Sequence, residues 1–530
     1  MSVSRTLFHV MRADFFERSR RYSFLITLGL TIFAAYLSLP PSSADYIMMG
    51  LDHYRGVYKS AWIGAAVAVI CSTLLSLPAF YLVKNAIERD ERTGVGQIIA
   101  TTPLTKPLYT LGKTFSNFAF LAMMVGVTAL AAGAMQLIRA EVLHIDLWAL
   151  LSPFIFSVLP AMAVIAAVAV LFETIPWLRG TFGNVVYFVL WMVLIISLAM
   201  NISMRVPLFD LWGVQVIMSS MMKDTAAVFP DYEMDSFAIS VATLQEPLQT
   251  FTWNGVHWTA KIIFGRILWL GVALGISLLA ALLFRLFDPA LQKPNLSRDR
   301  ETLEAMPSES TQPAPKTAPI VLTPLPSTHR SFYPMRVLLA ELRLLFKGIG
   351  WWWFFILAGL IVAGILLPVE KARQYLLPVA WVLPLGLWSA LGIREKRHNT
   401  DQLIFSAPHP LSRQFPMVWL AGVIASIIAG VGVAANMILA GDWLHLMAWA
   451  TGALFIPSLA LALGVWSGSN KLFEVVYMLW WYAGPINHVE SLDFMGTGAN
   501  FQVNRVFIYG LLIMLLLALA VLGRKKQLKR

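Results

Sequence analysis

The sequence predicts an all-α polytopic membrane protein, and three observations carry that prediction. Of 530 residues, 58% are hydrophobic and only 13% are charged, far more apolar area than a single soluble core encloses. The apolar residues are gathered into continuous runs near the roughly 20 helical residues that cross a bilayer core about 30 Å thick. Within those runs the two faces do not alternate, as they would in barrel strands of about ten residues.

Six runs fall near 23–40, 61–83, 114–137, 148–172, 181–200 and 262–284. Six more fall near 351–367, 375–393, 417–440, 444–467, 472–486 and 506–523, giving about twelve spans. Lysine and arginine set the orientation, because positive loops resist translocation. Arg5, Arg12, Arg18, Arg20 and Arg21 precede the first run, and Arg524, Lys525, Lys526, Lys529 and Arg530 follow the last. Both termini are therefore expected on the cytoplasmic side of a plasma (inner) membrane. The formal charge of +11 then follows from topology and contact with anionic lipid, and with no nucleic-acid module visible no nucleic-acid partner is expected. Cys71, the one cysteine, lies inside the second run and reads as a small core residue. The first run, followed by LPPSSADY, looks like a signal peptide with a small-residue cleavage site. It reads better as a retained span, because its basic leader is long and the same arrangement recurs in mid-chain.

Residues 288–330, DPALQKPNLSRDRETLEAMPSESTQPAPKTAPIVLTPLPSTHR, are rich in Pro, Ser and Thr and cannot build a core. They read as a cytoplasmic linker between a first six-helix half, 1–287, and a second, 331–530.

Across that linker the chain repeats itself. RTLFHVMRADFFERSRR at 5–21 matches RSFYPMRVLLAELRLLFK at 330–347, each a basic amphipathic stretch before a span. These predict interfacial helices over 5–21 and 331–349. Arg89, Arg92, Gln97, Ile98, Ile99 and Pro103 fall against Arg394, Arg397, Gln402, Leu403, Ile404 and Pro408 without a gap. NVVYFVLW at 184–191 matches EVVYMLWW at 474–481, and Pro160 and Pro457 fall inside the fourth run of each half. Apolar composition repeats by chance; polar residues at fixed spacing in the same topological slot do not. An internal duplication, giving two pseudo-symmetric halves, is therefore expected.

The matched segments, 84–113 and 394–415, connect the second and third runs of each half. Each opens with acids and bases: Glu88, Arg89, Asp90, Glu91 and Arg92 in one; Arg394, Glu395, Lys396 and Arg397 in the other. A short apolar stretch follows and ends near Pro103 or Pro408, which predicts a surface helix stopped by proline. Gln97, Ile98, Ile99 and Leu104 cannot all be solvated comfortably, so part of the helix should pack on the membrane helices or on another protein. Lys106 and Lys113, or Arg413, mark the return to the membrane.

With TTPLTKPLYTLGK at 101–113 and SAPHPLSRQF at 406–415, the chain resembles the permease subunits of ABC transporters of the ABC-2 type. The resemblance implies an interfacial helix at the start of each half and a coupling helix between its second and third spans. It implies that Glu88, Arg89, Glu91, Arg92, Gln97, Ile98, Ile99 and Pro103 form one contact with a separate cytoplasmic ATPase. Arg394, Glu395, Arg397, Gln402, Leu403, Ile404 and Pro408 would form the other. The fused pair implies one copy of this chain with two ATPase subunits, alike or different. No G-x-x-x-x-G-K-[ST] phosphate loop is present, so ATP and Mg belong to those subunits, and the chain is expected to bind no cofactor and to catalyse nothing itself. Alternating access, as an exporter of a hydrophobic or amphipathic substrate, is the expected activity. Two other classes stand beside it: an ATPase-coupled sensor or scaffold with 201–258 as its receptor face, and a membrane-embedded enzyme, which would need polar clusters that the spans lack.

The outer segment 201–260 is long, whereas its counterpart, 484–504, is brief, so the two would cap the translocation route unequally, against a symmetric substrate cavity; an accessory subunit on the outer side is a further candidate partner. Met48, Met49, Met218, Met221 and Met222 could supply thioethers to Cu(I) but read as packing, and His488, Glu490 and Asp493 read as a solvated loop rather than a metal site. Lys261, Arg266 and Arg505 read as lipid-phosphate anchors beside Trp258 and Trp269. Glu474 reads as interfacial, within reach of Lys471, and Trp351, Trp352 and Trp353 as an aromatic belt.

Overall fold

Small side chains decide which helices occupy the centre. Half of Ser60–Val83 is Ala, Gly, Ser or Val, and 78% of the apolar window in the run Ser60–Glu91 is buried. Gly64 lets it approach Leu150 so closely that an added Cβ would lie 2.4 Å from the Leu150 carbonyl oxygen, the close backbone approach that small residues permit between apolar helices. Ala260–Leu283, rich in Leu and Ile, has only 17% of its window buried and lies at the edge of its unit.

A computed structural model describes residues 5, 11–12, 14–16, 22–41, 44, 46–51, 54–139, 141–142, 144–204, 210–230, 232, 238–243, 248–284, 334–398, 400–406, 409–487, 489–498 and 501–528. The expected linker, 288–330, and most of the expected interfacial helix, 5–21, lie outside them. The chain divides into two compact units, Met1–Phe287 and Asp288–Arg530. It is largely helical and polytopic: among the described residues eight helices are long and apolar enough to cross a membrane, or nine if one bent pair counts as a span.

That number falls below the expected twelve for local reasons. Tyr22–Leu37 and Trp351–Leu366 are each 16 residues long. The latter is bent by 104° from Pro334–Phe346, with Gly348 at φ +85° in the bend, so the helix expected over 331–349 is shorter. The run 375–393 is not one helix. It breaks into a π turn, Ala372–Leu376, and short pieces Leu377–Ala380 and Leu385–Ser389, with Pro378 and Pro384, which lack a donor, at the starts of the two pieces. Asn470–Trp481 has 12 residues and passes into a π turn, Tyr482–Ile486.

Nor is the fold purely helical. In the first unit Tyr46–Gly50 pairs antiparallel with Ala238–Thr243, and Tyr54–Gly56 pairs parallel with Gln249–Phe251. These pairings tie the loop after the first helix to the long segment after the fifth. Among the methionines there, Met49, Met218, Met221 and Met222 are buried side chains of this packing.

Hydrogen bonds repeat between the units as the sequence does. Tyr187 donates to the Ser76 carbonyl at 2.9 Å, and Trp191 Nε1 to the Thr73 carbonyl at 3.0 Å. Tyr477 donates to the Trp381 carbonyl at 2.8 Å, and Trp481 Nε1 to the Pro378 carbonyl at 3.0 Å. The donors keep the register of NVVYFVLW on EVVYMLWW, and the acceptors keep the register that sets Arg89 on Arg394.

A Cβ at Gly432 would lie 2.2 Å from the Ile361 carbonyl oxygen, whereas one at Gly359 meets nothing within 4 Å. Gly432→Ala should therefore force Trp351–Leu366 and Phe415–Ala440 apart and cost about 1–3 kcal/mol, while Gly359→Ala should be neutral or mildly stabilising. Thermal unfolding of the two detergent-solubilised variants checks the difference.

Candidate functional site

The first connecting segment starts where Ser60–Val83 is stopped. Lys84 turns extended and Asn85 takes φ +77°. The Lys84 ammonium is buried, donating to the carbonyls of Leu178 (2.9 Å) and Gly180 (3.2 Å) and to Asn184 Oδ1 (2.7 Å). The next helix, Ala86–Arg92, finds its N-terminal partner on another helix. The Glu173 carboxylate accepts from the backbone N–H groups of Ala86 (2.9 Å), Ile87 (2.6 Å) and Glu88 (3.2 Å). An anion buried at a helix N-terminus is held by both the orphan donors and the dipole.

A buried charge cluster fixes the same helix from its other side. Arg89 pairs with Asp14, a residue of the first amphipathic stretch. Lys113, on the returning helix Lys106–Arg139, bridges Asp14 Oδ1 at 3.1 Å and Asp90 Oδ2 at 2.8 Å. Ser116 donates to Asp14 Oδ2 and the Tyr109 hydroxyl to Asp90 Oδ2, both at 2.8 Å. Two acids and two bases thus neutralise one another out of water, which is the condition for burying charge at tolerable cost.

Beyond the cluster the segment turns outward. The expected single helix is two, because Gly94 at φ +75° separates Ala86–Arg92 from Val95–Ala100, a conformation that glycine adopts without steric penalty. Gln97 and Pro103 are exposed and Ile98 is 67% exposed. Ile99, Ala100 and Leu104 instead pack on Ile87, Tyr109, Val170, Ala280 and Phe284. Glu88 is half-buried, and Glu91 pairs with Arg179 at 2.9 Å nearer the surface; the Arg92 side chain lies outside the described residues.

The second unit holds a comparable cluster, with glutamates in place of the two aspartates and a neutral side chain in place of the bridging lysine. Arg394 pairs with Glu341, on Pro334–Phe346, at 2.8 Å. Gln414 takes the bridging place of Lys113, with Nε2 donating to Glu341 Oε1 and Glu395 Oε1, each at 3.3 Å. Arg524, near the end of the last helix, completes the charge balance with Nη2 at 3.3 Å from Glu395 Oε1. On the outward side Gln402 and Arg397 are exposed, Leu403 is 76% exposed and Ile404 is half-buried. Pro408 lies outside the described residues.

At the start of each unit's last long helix, the arginines expected to anchor lipid phosphate are paired with protein instead. Arg266 is buried against Asp210 at 2.8 Å and also donates to the Asp210 carbonyl at 2.7 Å. Burial pushes the Asp210 carboxyl up from its ordinary range, opposed by the Arg266 guanidinium and the N–H groups of Val214 and Gln215. Arg505 pairs with Glu490. A buried arginine is cheaper with a counter-charge than without one. Asp493 is buried, accepting from the N–H groups of Met495 (3.2 Å) and Gly498 (2.9 Å), so HVESLD is a folded turn; His488 lies outside the described residues. Glu474, expected at an interface, is fully buried and accepts from Asn470 at 2.9 Å. Trp353 is buried beside exposed Trp351, which reduces the expected belt.

Reading charged residues along the chain finds Arg89 and Arg394 but misses their partners Asp14 and Glu341, and it misses the places of Glu173, Gln414 and Arg524 around the same segments. The repeat itself held the available signal: Asp90 and Glu395 share one register, and an acid recurs in both amphipathic stretches.

Removing one partner of a buried pair costs more than removing one of an exposed pair. Asp14→Ala should destabilise the first unit by about 3–5 kcal/mol, leaving Asp90 as the one carboxylate of the cluster against the two buried cations Arg89 and Lys113, whereas Glu91→Gln should cost under about 1 kcal/mol. Thermal unfolding of both variants gives the comparison, and equal shifts would contradict the ranking.

The chain matches no family model, no curated protein and no solved structure, so the case for a function is made by these side chains themselves.

Proposed function

We propose that this chain is the membrane subunit of an ATP-driven transporter, two pseudo-symmetric halves fused in one chain and driven by two separate cytoplasmic ATPase subunits. The observation that carries the reading is the pair Ile98 and Leu403. Each is a large apolar side chain left 67% or 76% exposed on a short helix, at register-matched places, while the neighbouring Ile99 and Ile404 are half-buried. An exposed apolar tip on a clamped backbone suits a docking contact.

The rest of the geometry supports a lever. The charge cluster ties each connecting segment to an amphipathic stretch and to the following helix, so a force on the tip reaches three elements at once. Nucleotide binding by a docked ATPase would then favour one arrangement of the membrane helices over another by differential contact. ATP and Mg stay with the partner. We assign the chain to the plasma membrane with both termini cytoplasmic, and its direction to export of an apolar or amphipathic substrate.

Ile98→Asp and Leu403→Asp should leave the fold intact, since both side chains are exposed. Each should weaken association with the ATPase by roughly 30-fold, as expected of a central apolar anchor, and the double variant should abolish co-purification and ATP-dependent transport. Unchanged co-purification of the double variant would remove the docking assignment.

A further inference from the structure

We infer that Arg524 is a positioning residue of the second connecting segment, supplying from the end of the last helix the positive charge that Gln414 cannot. In the first unit two carboxylates, Asp14 and Asp90, share two cations, Arg89 and Lys113. In the second, Glu341 and Glu395 hold the corresponding places, but the bridging side chain, Gln414, is neutral. Without a further cation the second cluster would keep a net buried negative charge, which is expensive in a low-dielectric interior.

Arg524 is buried to 5% exposure, and three contacts aim it at this place. Its Nη2 meets Glu395 Oε1 at 3.3 Å, its Nη1 donates to Gln527 Oε1 at 3.2 Å, and its guanidinium lies over the Phe405 ring at 4.9 Å. Gln527 is anchored in turn, donating to the Val465 carbonyl at 2.7 Å. Glu395 belongs to the start of the connecting segment and Phe405 to its outward helix, Asp401–Phe405, so one guanidinium holds both. Glu395 Oε2 remains buried with no partner among the described residues, whereas Asp90 Oδ2 receives both Lys113 and Tyr109. Residue 414 is thus where a lysine would find a vacant acceptor. Arg285, which has the matching place in the sequence of the first unit, lies outside the described residues.

This inference rests on the matched segments that also support the transporter reading, but not on any docked ATPase. It predicts that the last helix moves with the second connecting segment. Hydrogen exchange of the full-length chain in lipid nanodiscs, read over 394–413, tests it. Arg524→Gln should raise exchange there by at least about tenfold, and adding Gln414→Lys should return it to the wild-type level. Packing lost at 524 cannot be restored by a charge introduced at 414, so rescue separates a positioning charge from a structural side chain. Unchanged exchange in Arg524→Gln, or failure of the double variant to recover, would overturn the inference. If Arg524→Gln does not fold, a folded double variant upholds the proposal and an unfolded one overturns it. Failure of the docking reading would show instead as wild-type chain that captures no ATPase, with these exchange rates untouched.

Discussion

The buried carboxylate of each amphipathic stretch, Asp14 or Glu341, is the constraint on which the arrangement around it depends. An unpaired carboxylate could not remain in such a place, because desolvation would cost several kcal/mol. It therefore dictates where its partners stand: Arg89 and Lys113 around Asp14, Arg394 and Gln414 around Glu341. Those partners belong to the connecting segment and to the returning helix, so three elements remote in sequence are fixed by one group. Hydrophobic burial cannot supply this, since it has no direction and tolerates sliding. Ion pairs with short donor–acceptor distances set a register.

A second constraint acts at the start of each unit's last long helix. Asp210 and Glu490, in segments leading into those helices, hold Arg266 and Arg505. At the other end the same helices reach back to the connecting segments by different means. Phe284 stacks on Tyr109 with ring centroids 5.1 Å apart and joins the apolar cluster that receives Ile99 and Ala100. Arg524 uses charge and the face of Phe405. Apolar packing tolerates small displacements, whereas a buried ion pair that separates leaves two uncompensated charges. The last long helix therefore grips the two segments with unequal stiffness, although buried charge holds the start of both.

Much of the architecture is legible in the sequence because membrane crossing leaves a signal in composition alone. Continuous apolar runs announce helices, and charged residues between them announce connecting segments. What composition hides is pairing at long range. Arg89 advertises itself as a charge between spans, but nothing near it names Asp14, and Glu173 looks like an ordinary helix end until its carboxylate is found on the amides of Ala86, Ile87 and Glu88. The strands Tyr46–Gly50 and Ala238–Thr243 escape notice for the same reason, since each is a short run whose partner lies far along the chain. Breaks in helices are a middle case. Gly94, Pro378 and Pro384 are visible residues, but a proline inside an apolar run is compatible with a kinked span as well as a broken one, and tertiary contacts decide between them.

The hydrogen bonds of Tyr187 and Trp191, and of Tyr477 and Trp481, explain why the repeat is plain in some stretches and faint in others. In both units the donors are side chains, and their identity is required: only an aromatic ring with a polar tip can fill the space and still reach a partner. The acceptors are backbone carbonyls, which every residue carries. Positions 73 and 76 are Thr and Ser, whereas the register-matched 378 and 381 are Pro and Trp, and the bonds form all the same. On the duplication reading, the donor helix was constrained in sequence while the acceptor helix was constrained only in backbone position. The acceptor side could then lose its resemblance, gain two prolines and break into short pieces, while keeping the carbonyls where the tyrosine and tryptophan need them. Geometry thus outlasts sequence wherever the main chain does the bonding, and sequence persists where the side chain does.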